Sequence, residues 1–117
     1  MLGPTAIDSN WEVSVLETKA MLDRGEDFLF LDVRQPEEHA ICRIEGAKLV
    51  PLGELPNRIE EIRSQANGRP IVIHCHHGGR SLSAAAMLRE AAMADAKSMA
   101  GGIDAWSLQV DHAVPRY

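Results

Sequence analysis

The amino-acid sequence predicts an α/β fold in which a parallel sheet is covered by helices on both faces. Short apolar or β-branched runs alternate along the chain with runs of helical periodicity, and the connections between them are short. The run Phe28–Val33 is almost continuously apolar, which is typical of a strand buried on both faces. The 117 residues, 45% hydrophobic and 25% charged, fit one domain over 1–117, with residues 1–10 as a loose lead-in.

The first half of the chain is interpreted as two helices and two strands. Ser14 and Glu17 form a capping box that starts a helix, which runs to about Arg24 and ends at Gly25. The elements that follow are a strand at 28–33, a short polar helix around 36–40 and a strand at 47–51.

The second half continues the same alternation. Leucine and isoleucine recur at helical spacing from Leu52 to Ile62, and Pro56 is tolerated early in that helix. An Asn-Gly pair marks a turn before the most β-branched strand, at 70–74. The remaining elements are a helix with a small-residue face at 84–92, a weaker strand at 96–99, a Gly101-Gly102 turn and a short helix through Trp106.

The charge balance and the cysteine count exclude several classes of protein. Seventeen acidic and twelve basic side chains give a formal net charge of -5, whereas nucleic acids and anionic membranes call for a basic face. No apolar run reaches the ~18 residues of a membrane span, and the N-terminus lacks a secretory pattern. Two cysteines, Cys42 and Cys75, cannot build a disulfide framework. We therefore expect a cytoplasmic protein with no nucleic-acid or membrane partner.

One loop concentrates the features that make a cysteine reactive. Cys75 lies at the carboxyl end of the 70–74 strand, where open α/β sheets bind ligands. The next helix points its free N–H groups back at this loop, and Gly78 and Gly79 let the backbone turn into an anion-binding concavity. Helix N-termini favour the thiolate form of cysteine. The competing interpretation is that Cys75 only packs, because free cysteine is among the most buried residue types.

Charged and titratable side chains flank this loop. Arg80 supplies a permanent positive charge, and His76 or His77 a partial one. Histidine and cysteine are also zinc ligands, so the run His74–His77 raises the alternative of a metal site. Side chains alternate in direction along an extended backbone, so four adjacent residues hardly converge on one ion. The sequence therefore predicts no metal here.

Four motifs in order give the chain a resemblance to the rhodanese (thiosulfate sulfurtransferase) family. The motifs are Leu31–Arg34 with Glu38 after it, Ile44–Ala47, Ile73–Ser81 and Gly101–Trp106. They extend over about residues 10–110, nearly the whole chain, and their order is more specific than any one of them. The run Gly101–Tyr117 also resembles the rhodanese-type tails fused to some enzymes that activate ubiquitin-like proteins.

The resemblance implies a five-stranded parallel sheet flanked by helices, and a sulfurtransferase of the thiosulfate:cyanide type. Cys75 would attack the outer sulfur of an anionic donor such as thiosulfate, release sulfite and become a persulfide. Cyanide, a thiol or a sulfur-accepting protein would then take the sulfur. This two-step covalent scheme predicts ping-pong kinetics, with no metal or organic cofactor.

The same resemblance gives roles to the residues around Cys75. The residues expected to bind the donor are those of the loop and the start of its helix: His76, His77, Gly78, Gly79, Arg80 and Ser81. Asp32 and Arg34 are expected to support the site from outside it. Asp32 would orient loop amides or Arg34, or would simply cap its strand.

Other functions stay open at this point. A rhodanese-like module without activity would bind a partner protein. Related dual-specificity phosphatases and arsenate reductases have one more loop residue than the four between Cys75 and Arg80 here. Cys42 as a resolving thiol is a further hypothesis, with buried packing favoured. Arg43 stands where the family often has histidine, and a solvated side chain is favoured there.

Overall fold

The computed structural model describes residues 11–117 and contains one five-stranded parallel sheet in the order β1-β5-β4-β2-β3. The predicted lead-in at 1–10 lies outside the described residues. The strands are β1 (Glu12–Val13), β2 (Leu29–Asp32), β3 (Lys48–Leu49), β4 (Ile71–His74) and β5 (Ala96–Met99). The helices are α1 (Val15–Asp23), α2 (Pro36–Ile41), a 3₁₀ helix (Leu52–Arg58), α3 (Ile59–Ala66), α4 (Gly79–Glu90) and α5 (Gly102–Gln109).

The two faces of the sheet carry separate apolar cores, which confirms the prediction of helices on both sides. Strand residues that alternate in direction divide between the cores, with Leu31 and Ile73 on one face and Phe30 and Val72 on the other. The first core includes these side chains of the 3₁₀ helix, α3 and α4: Leu55, Ile62, Ala84, Ala85 and Leu88. The second includes these side chains of α1 and α5: Val15, Ile103 and Trp106.

The register of the sheet brings the ends of two strands together. β4 lies between β2 and β5, and Asp32 at the end of β2 is paired with His74 at the end of β4. Carboxyl ends of parallel strands share one edge of the sheet, so the residues that follow β2 and β4 meet there. This edge carries Cys75.

The structure differs from the sequence prediction at three elements. The strand β1 was not predicted, since two residues are too few for a period to be read. The predicted strand at 47–51 is reduced to Lys48–Leu49, because the chain turns into the 3₁₀ helix that Pro51 precedes. The predicted helix from Leu52 begins as a 3₁₀ helix that contains Pro56 and becomes α-helical only at Ile59.

Within residues 11–117, none of the helices has both the length and the apolar character that crossing a membrane requires.

Candidate active site

Cys75 begins a tight loop between the most buried strand and the longest helix among the described elements. All four residues of β4 are buried, and α4 starts at Gly79. Gly78 has a φ of 116°, in the region that favours glycine, and a Cβ there would lie 3.3 Å from the backbone nitrogen of Gly101. Of the two glycines predicted to shape the loop, Gly78 is required by both its φ and its surroundings, whereas Gly79 has no positive φ and a Cβ there would meet nothing within 4 Å.

The sulfur of Cys75 is surrounded by hydrogen-bond donors. The backbone N–H of Gly78 donates to Sγ at 3.1 Å and that of Ser81 at 3.3 Å, while the Ser81 hydroxyl lies 3.4 Å away. The Ser81 hydroxyl also lies 2.7 Å from the hydroxyl of Ser98, which is fully buried on β5. Cys75 itself is only 1% exposed. Donors fixed in a water-poor site stabilise negative charge on the atom that they face.

The outer side of the loop is held by the start of α5. The N–H of Ile103 donates to the carbonyl of Cys75 at 2.9 Å, and the N–H of Asp104 donates to the carbonyl of His76 at 3.1 Å. These bonds satisfy two free amides of the helix and turn the carbonyls of the loop away from the sulfur. From the sequence, this segment is predicted only to form a turn and a closing motif, so its contact with the Cys75 loop is a finding of the structure.

His76 and His77 lie side by side at the outside of the loop. Their rings stack with centroids 3.9 Å apart, and the other face of His76 stacks on Tyr117, also at 3.9 Å. Burial and the neighbouring His77 lower the pKa of His76, so its ring is neutral at pH 7. Nδ1 of the exposed His77 lies 3.9 Å from the Asp104 carboxylate. His76, His77 and Asp104 each bring one potential metal-ligand atom within 4.8 Å of the others.

Arg80 is held by a carboxylate rather than by the sulfur. Its two terminal nitrogens donate to the two oxygens of Glu38 at 2.7 and 2.9 Å, which is a bidentate pair between α4 and α2. The hydroxyl of Tyr117 donates to the same carboxylate at 2.9 Å. Arg80 therefore positions the first turn of α4, and its role as a donor-binding residue stays a prediction.

We expect the Glu38–Arg80 pair to stabilise the fold at neutral pH and to lose this contribution to the free energy of unfolding at acid pH. Hydrogen bonds from Arg80 lower the pKa of Glu38 from 4.5 to about 2. A carboxylate whose pKa is depressed by folding contributes stability above its unfolded pKa and loses it as pH falls towards its folded pKa. In urea unfolding, Glu38→Gln should therefore cost about 1–2 kcal/mol at pH 7, allowing for solvent screening, and much less near pH 2.

A matched control for that prediction is Glu60→Gln. Glu60 pairs with Arg63 on the surface and its side chain is 82% exposed, so its replacement should change stability by less than about 0.5 kcal/mol. A loss from Glu38→Gln that is the same at every pH would contradict the ion-pair explanation.

Asp32 is hydrogen-bonded to Arg34 and not to the loop amides. Nε and Nη2 of Arg34 donate to the Asp32 carboxylate at 2.9 and 2.8 Å, and both side chains are fully buried. His39 Nδ1 lies 2.9 Å from the same carboxylate. Burial raises the pKa of Asp32, but the hydrogen bonds from Arg34 and His39 and the interaction with His74 together outweigh burial and hold this pKa below its ordinary value.

Arg34 in turn fixes α2 and the segment after it. Its guanidinium donates to the carbonyls of Glu38 at 3.3 Å and Cys42 at 2.7 Å, and to the Tyr117 hydroxyl at 2.9 Å. Every one of these partners is a hydrogen-bond acceptor, which is how a fully buried guanidinium is stabilised. Arg34 therefore positions Glu38 and does not touch the Cys75 sulfur.

His74 is a buried strand-end residue. It is fully buried, and burial lowers its pKa to about 4, so its ring is neutral at pH 7. Its Nδ1 lies 3.3 Å from the carbonyl of Cys75, and its Nε2 lies 3.8 Å from Asp32. His74 therefore lies between the backbone of the loop and the buried Asp32.

The two cysteines occupy opposite faces of the sheet. Cys75 belongs to the core with α3 and α4, while Cys42 belongs to the core with α1 and α5. The thiol of Cys42 donates to the carbonyl of Pro115 at 3.4 Å, and both cysteines are free. Buried packing therefore explains Cys42, and Arg43 beside it is exposed, as favoured from the sequence.

Comparison with known proteins places the chain among rhodanese-like domains. A family model described as rhodanese-like domain matches residues 14–109. An adenylyltransferase and sulfurtransferase from Zea mays is 32% identical over 90% of this chain, which covers 23% of that relative. An uncharacterized protein from Synechococcus elongatus is 46% identical over 58% of this chain, and 47% of its own length is covered. The chain thus spans between about a quarter and a half of these curated relatives.

Solved structures give the same result. A human single-domain sulfurtransferase has a TM-score of 0.71 and 28% identity, with 85% of this chain and 96% of that chain covered. The reduced CoADR-RHD of Bacillus anthracis has a TM-score of 0.75 and 29% identity, over 88% of this chain and 17% of its own. With the five-stranded parallel sheet and the family model in agreement, this chain belongs to the rhodanese-like domain family.

Proposed function

We propose that this protein is a sulfurtransferase that carries sulfane sulfur as a persulfide on Cys75, with thiosulfate or a persulfide as donor. The observation that supports this most directly is the pair of backbone N–H groups that donate to the Cys75 sulfur at 3.1 and 3.3 Å, with the Ser81 hydroxyl 3.4 Å away. They face an atom that is negative as the attacking thiolate and is bonded to a negative sulfur in the persulfide.

The proposed reaction has two steps that balance without a cofactor. In the first, the Cys75 thiolate attacks the outer sulfur of thiosulfate, an S–S bond forms, and sulfite leaves with the electron pair of the bond that breaks. In the second, an acceptor nucleophile attacks the terminal sulfur of the persulfide, and the Cys75 thiolate leaves. The acceptor is cyanide in an assay and a thiol or another protein in the cell.

Intact-mass spectrometry tests this proposal. Incubation with thiosulfate should raise the mass of the protein by one sulfur atom, and cyanide should then return the original mass. Cys42→Ser is the matched control, since Cys42 is a buried cysteine on the opposite face of the sheet and its replacement should leave the adduct intact. An unshifted mass with both thiosulfate and a small-molecule persulfide would overturn the proposal.

The loop geometry favours sulfur over a tetrahedral oxyanion. Only four residues separate Cys75 from Arg80, and the Arg80 guanidinium is already bound in bidentate fashion by Glu38. A phosphate or arsenate site would need that guanidinium to face the oxyanion. We therefore expect no hydrolysis of a generic aryl phosphate.

A further inference from the structure

We propose that Tyr117 is a positioning residue for sulfur transfer, which holds both the His76 side of the Cys75 loop and the Glu38–Arg80 pair. The inference rests on the proposed function of Cys75. Tyr117 was not among the residues that sequence analysis singled out for the site, because it lies 42 residues from Cys75 along the chain and no motif connects the two. It contacts the loop itself at His76 and two residues beside the loop, Arg34 and Glu38.

The first contact is with the residue next to the nucleophile. The Tyr117 ring stacks on the ring of His76 with centroids 3.9 Å apart and planes only 6° from parallel. His76 is fixed on its backbone side by the N–H of Asp104, so the stack completes a clamp on this residue. A displacement of His76 would move the backbone of Cys75, because the two residues are directly bonded.

The second and third contacts use the hydroxyl. It accepts a hydrogen bond from Nη1 of Arg34 at 2.9 Å and donates one to Oε2 of Glu38 at 2.9 Å. Burial raises the pKa of Tyr117 to about 12, so the hydroxyl keeps its proton at pH 7. Because Glu38 in turn holds Arg80, the hydroxyl connects the buried Arg34 to the first turn of α4.

Hydrogen bonds fix the backbone of the segment before Tyr117, and this fixes the position of the Tyr117 ring. The Ser107 hydroxyl donates to the carbonyl of Val114 at 2.6 Å, and the Cys42 thiol donates to the carbonyl of Pro115 at 3.4 Å. Tyr117 is nevertheless 38% exposed, so it contributes little to either apolar core. A partly exposed tyrosine whose ring and hydroxyl both contact groups around the site is better explained by positioning than by core packing.

The test compares Tyr117→Phe and Tyr117→Ala in the full chain, with thiosulfate as donor and cyanide as acceptor. Loss of the hydroxyl alone should lower kcat by roughly three- to tenfold, and loss of the ring as well by about 10–100-fold, with KM changed little. Leu108→Ala is the control, since Leu108 is also a partly exposed apolar side chain, 48% exposed on α5. It should stay within about twofold of wild type.

A second measurement separates positioning from a purely structural role. In wild-type protein, the stacked Tyr117 ring should shift the ring-proton NMR signals of His76 upfield; Tyr117→Phe should keep this shift and Tyr117→Ala should remove it. Unchanged His76 signals in Tyr117→Ala would overturn the inference. So would kcat values equal to wild type in the folded variants, even if their unfolding midpoints fall. Failure of wild-type protein to form the sulfur adduct would instead overturn the proposed function.

Discussion

Replacement of Cys75 by serine is expected to reduce sulfur transfer to the uncatalysed rate. A serine hydroxyl is a far weaker nucleophile than a thiolate at neutral pH and cannot form a persulfide, so both steps of the proposed reaction are lost. The loop should keep its shape, because the N–H groups of Gly78 and Ser81 can donate to a serine oxygen as they do to Sγ. The result is a folded protein without activity.

Thiocyanate formation from thiosulfate and cyanide measures the expected loss. The variant should show less than about 1% of wild-type kcat, in line with the loss of a covalent nucleophile. Its urea midpoint should stay close to that of wild type, since the substitution changes one buried atom. Cys42→Ser should retain activity, because Cys42 lies in the other core. Substantial turnover by Cys75→Ser would mean that the thiol is not the carrier.

The sequence was sufficient to predict the local part of the site because that part is contiguous. A β-branched strand, a cysteine at its end, two glycines and a helix follow one another within 70–90, and each has a pattern of short range. Of the amides from about His76 to Ser81 that were predicted to face inward, those of Gly78 and Ser81 donate to the Cys75 sulfur. The order of the motifs was enough to indicate the family.

Long-range contacts could not be predicted in the same way. The Glu38–Arg80 pair joins residues 42 positions apart, and the Arg34–Tyr117 hydrogen bond joins residues 83 apart. No period or capping rule relates such positions, and a charged residue in a sequence gives no sign of full burial. Arg34 was predicted only to support the site. Its side chain is fully buried and has four hydrogen-bond partners, which are the Asp32 carboxylate, the carbonyls of Glu38 and Cys42, and the Tyr117 hydroxyl. Its role depends on tertiary structure.

The site therefore has two layers: an inner one that could be predicted from contiguous sequence, and an outer one that depends on contacts between distant residues. The inner layer is the loop with the first turn of α4, from which the amides of Gly78 and Ser81 face the sulfur. The outer layer is the set of contacts that keep the loop in that shape: the start of α5 on its carbonyls, and Glu38 on Arg80. Where an outer contact leaves no space for one more carbon atom, a substitution there should disturb the site as much as a substitution in the inner layer.

Gly102 is that contact, and we expect Gly102→Ala to damage both stability and activity. The residue has a φ of +61°, and a Cβ there would lie 2.4 Å from the carbonyl oxygen of His76 and 2.6 Å from that of Cys75. Both neighbours are backbone, so neither can rotate away. The start of α5 must then withdraw, which breaks the hydrogen bonds from Ile103 and Asp104 to the loop.

The expected loss of stability is about 2–4 kcal/mol, from the strained backbone, the steric contact and two broken hydrogen bonds. In the protein that remains folded, sulfur loading should slow by more than about tenfold, because the amides of the loop no longer face the sulfur as a set. Urea unfolding and the rate of adduct formation by intact-mass spectrometry measure the two effects.

Gly53→Ala is the matched control for this substitution. A Cβ at Gly53 meets nothing within 4 Å, and this glycine does not adopt a positive φ. Its replacement should leave activity unchanged and stability within about 1 kcal/mol of wild type. If Gly102→Ala behaved like Gly53→Ala, the start of α5 would not be what shapes the loop. If instead Gly102→Ala lost stability but loaded sulfur at the wild-type rate, the loop would hold its amides in place without α5.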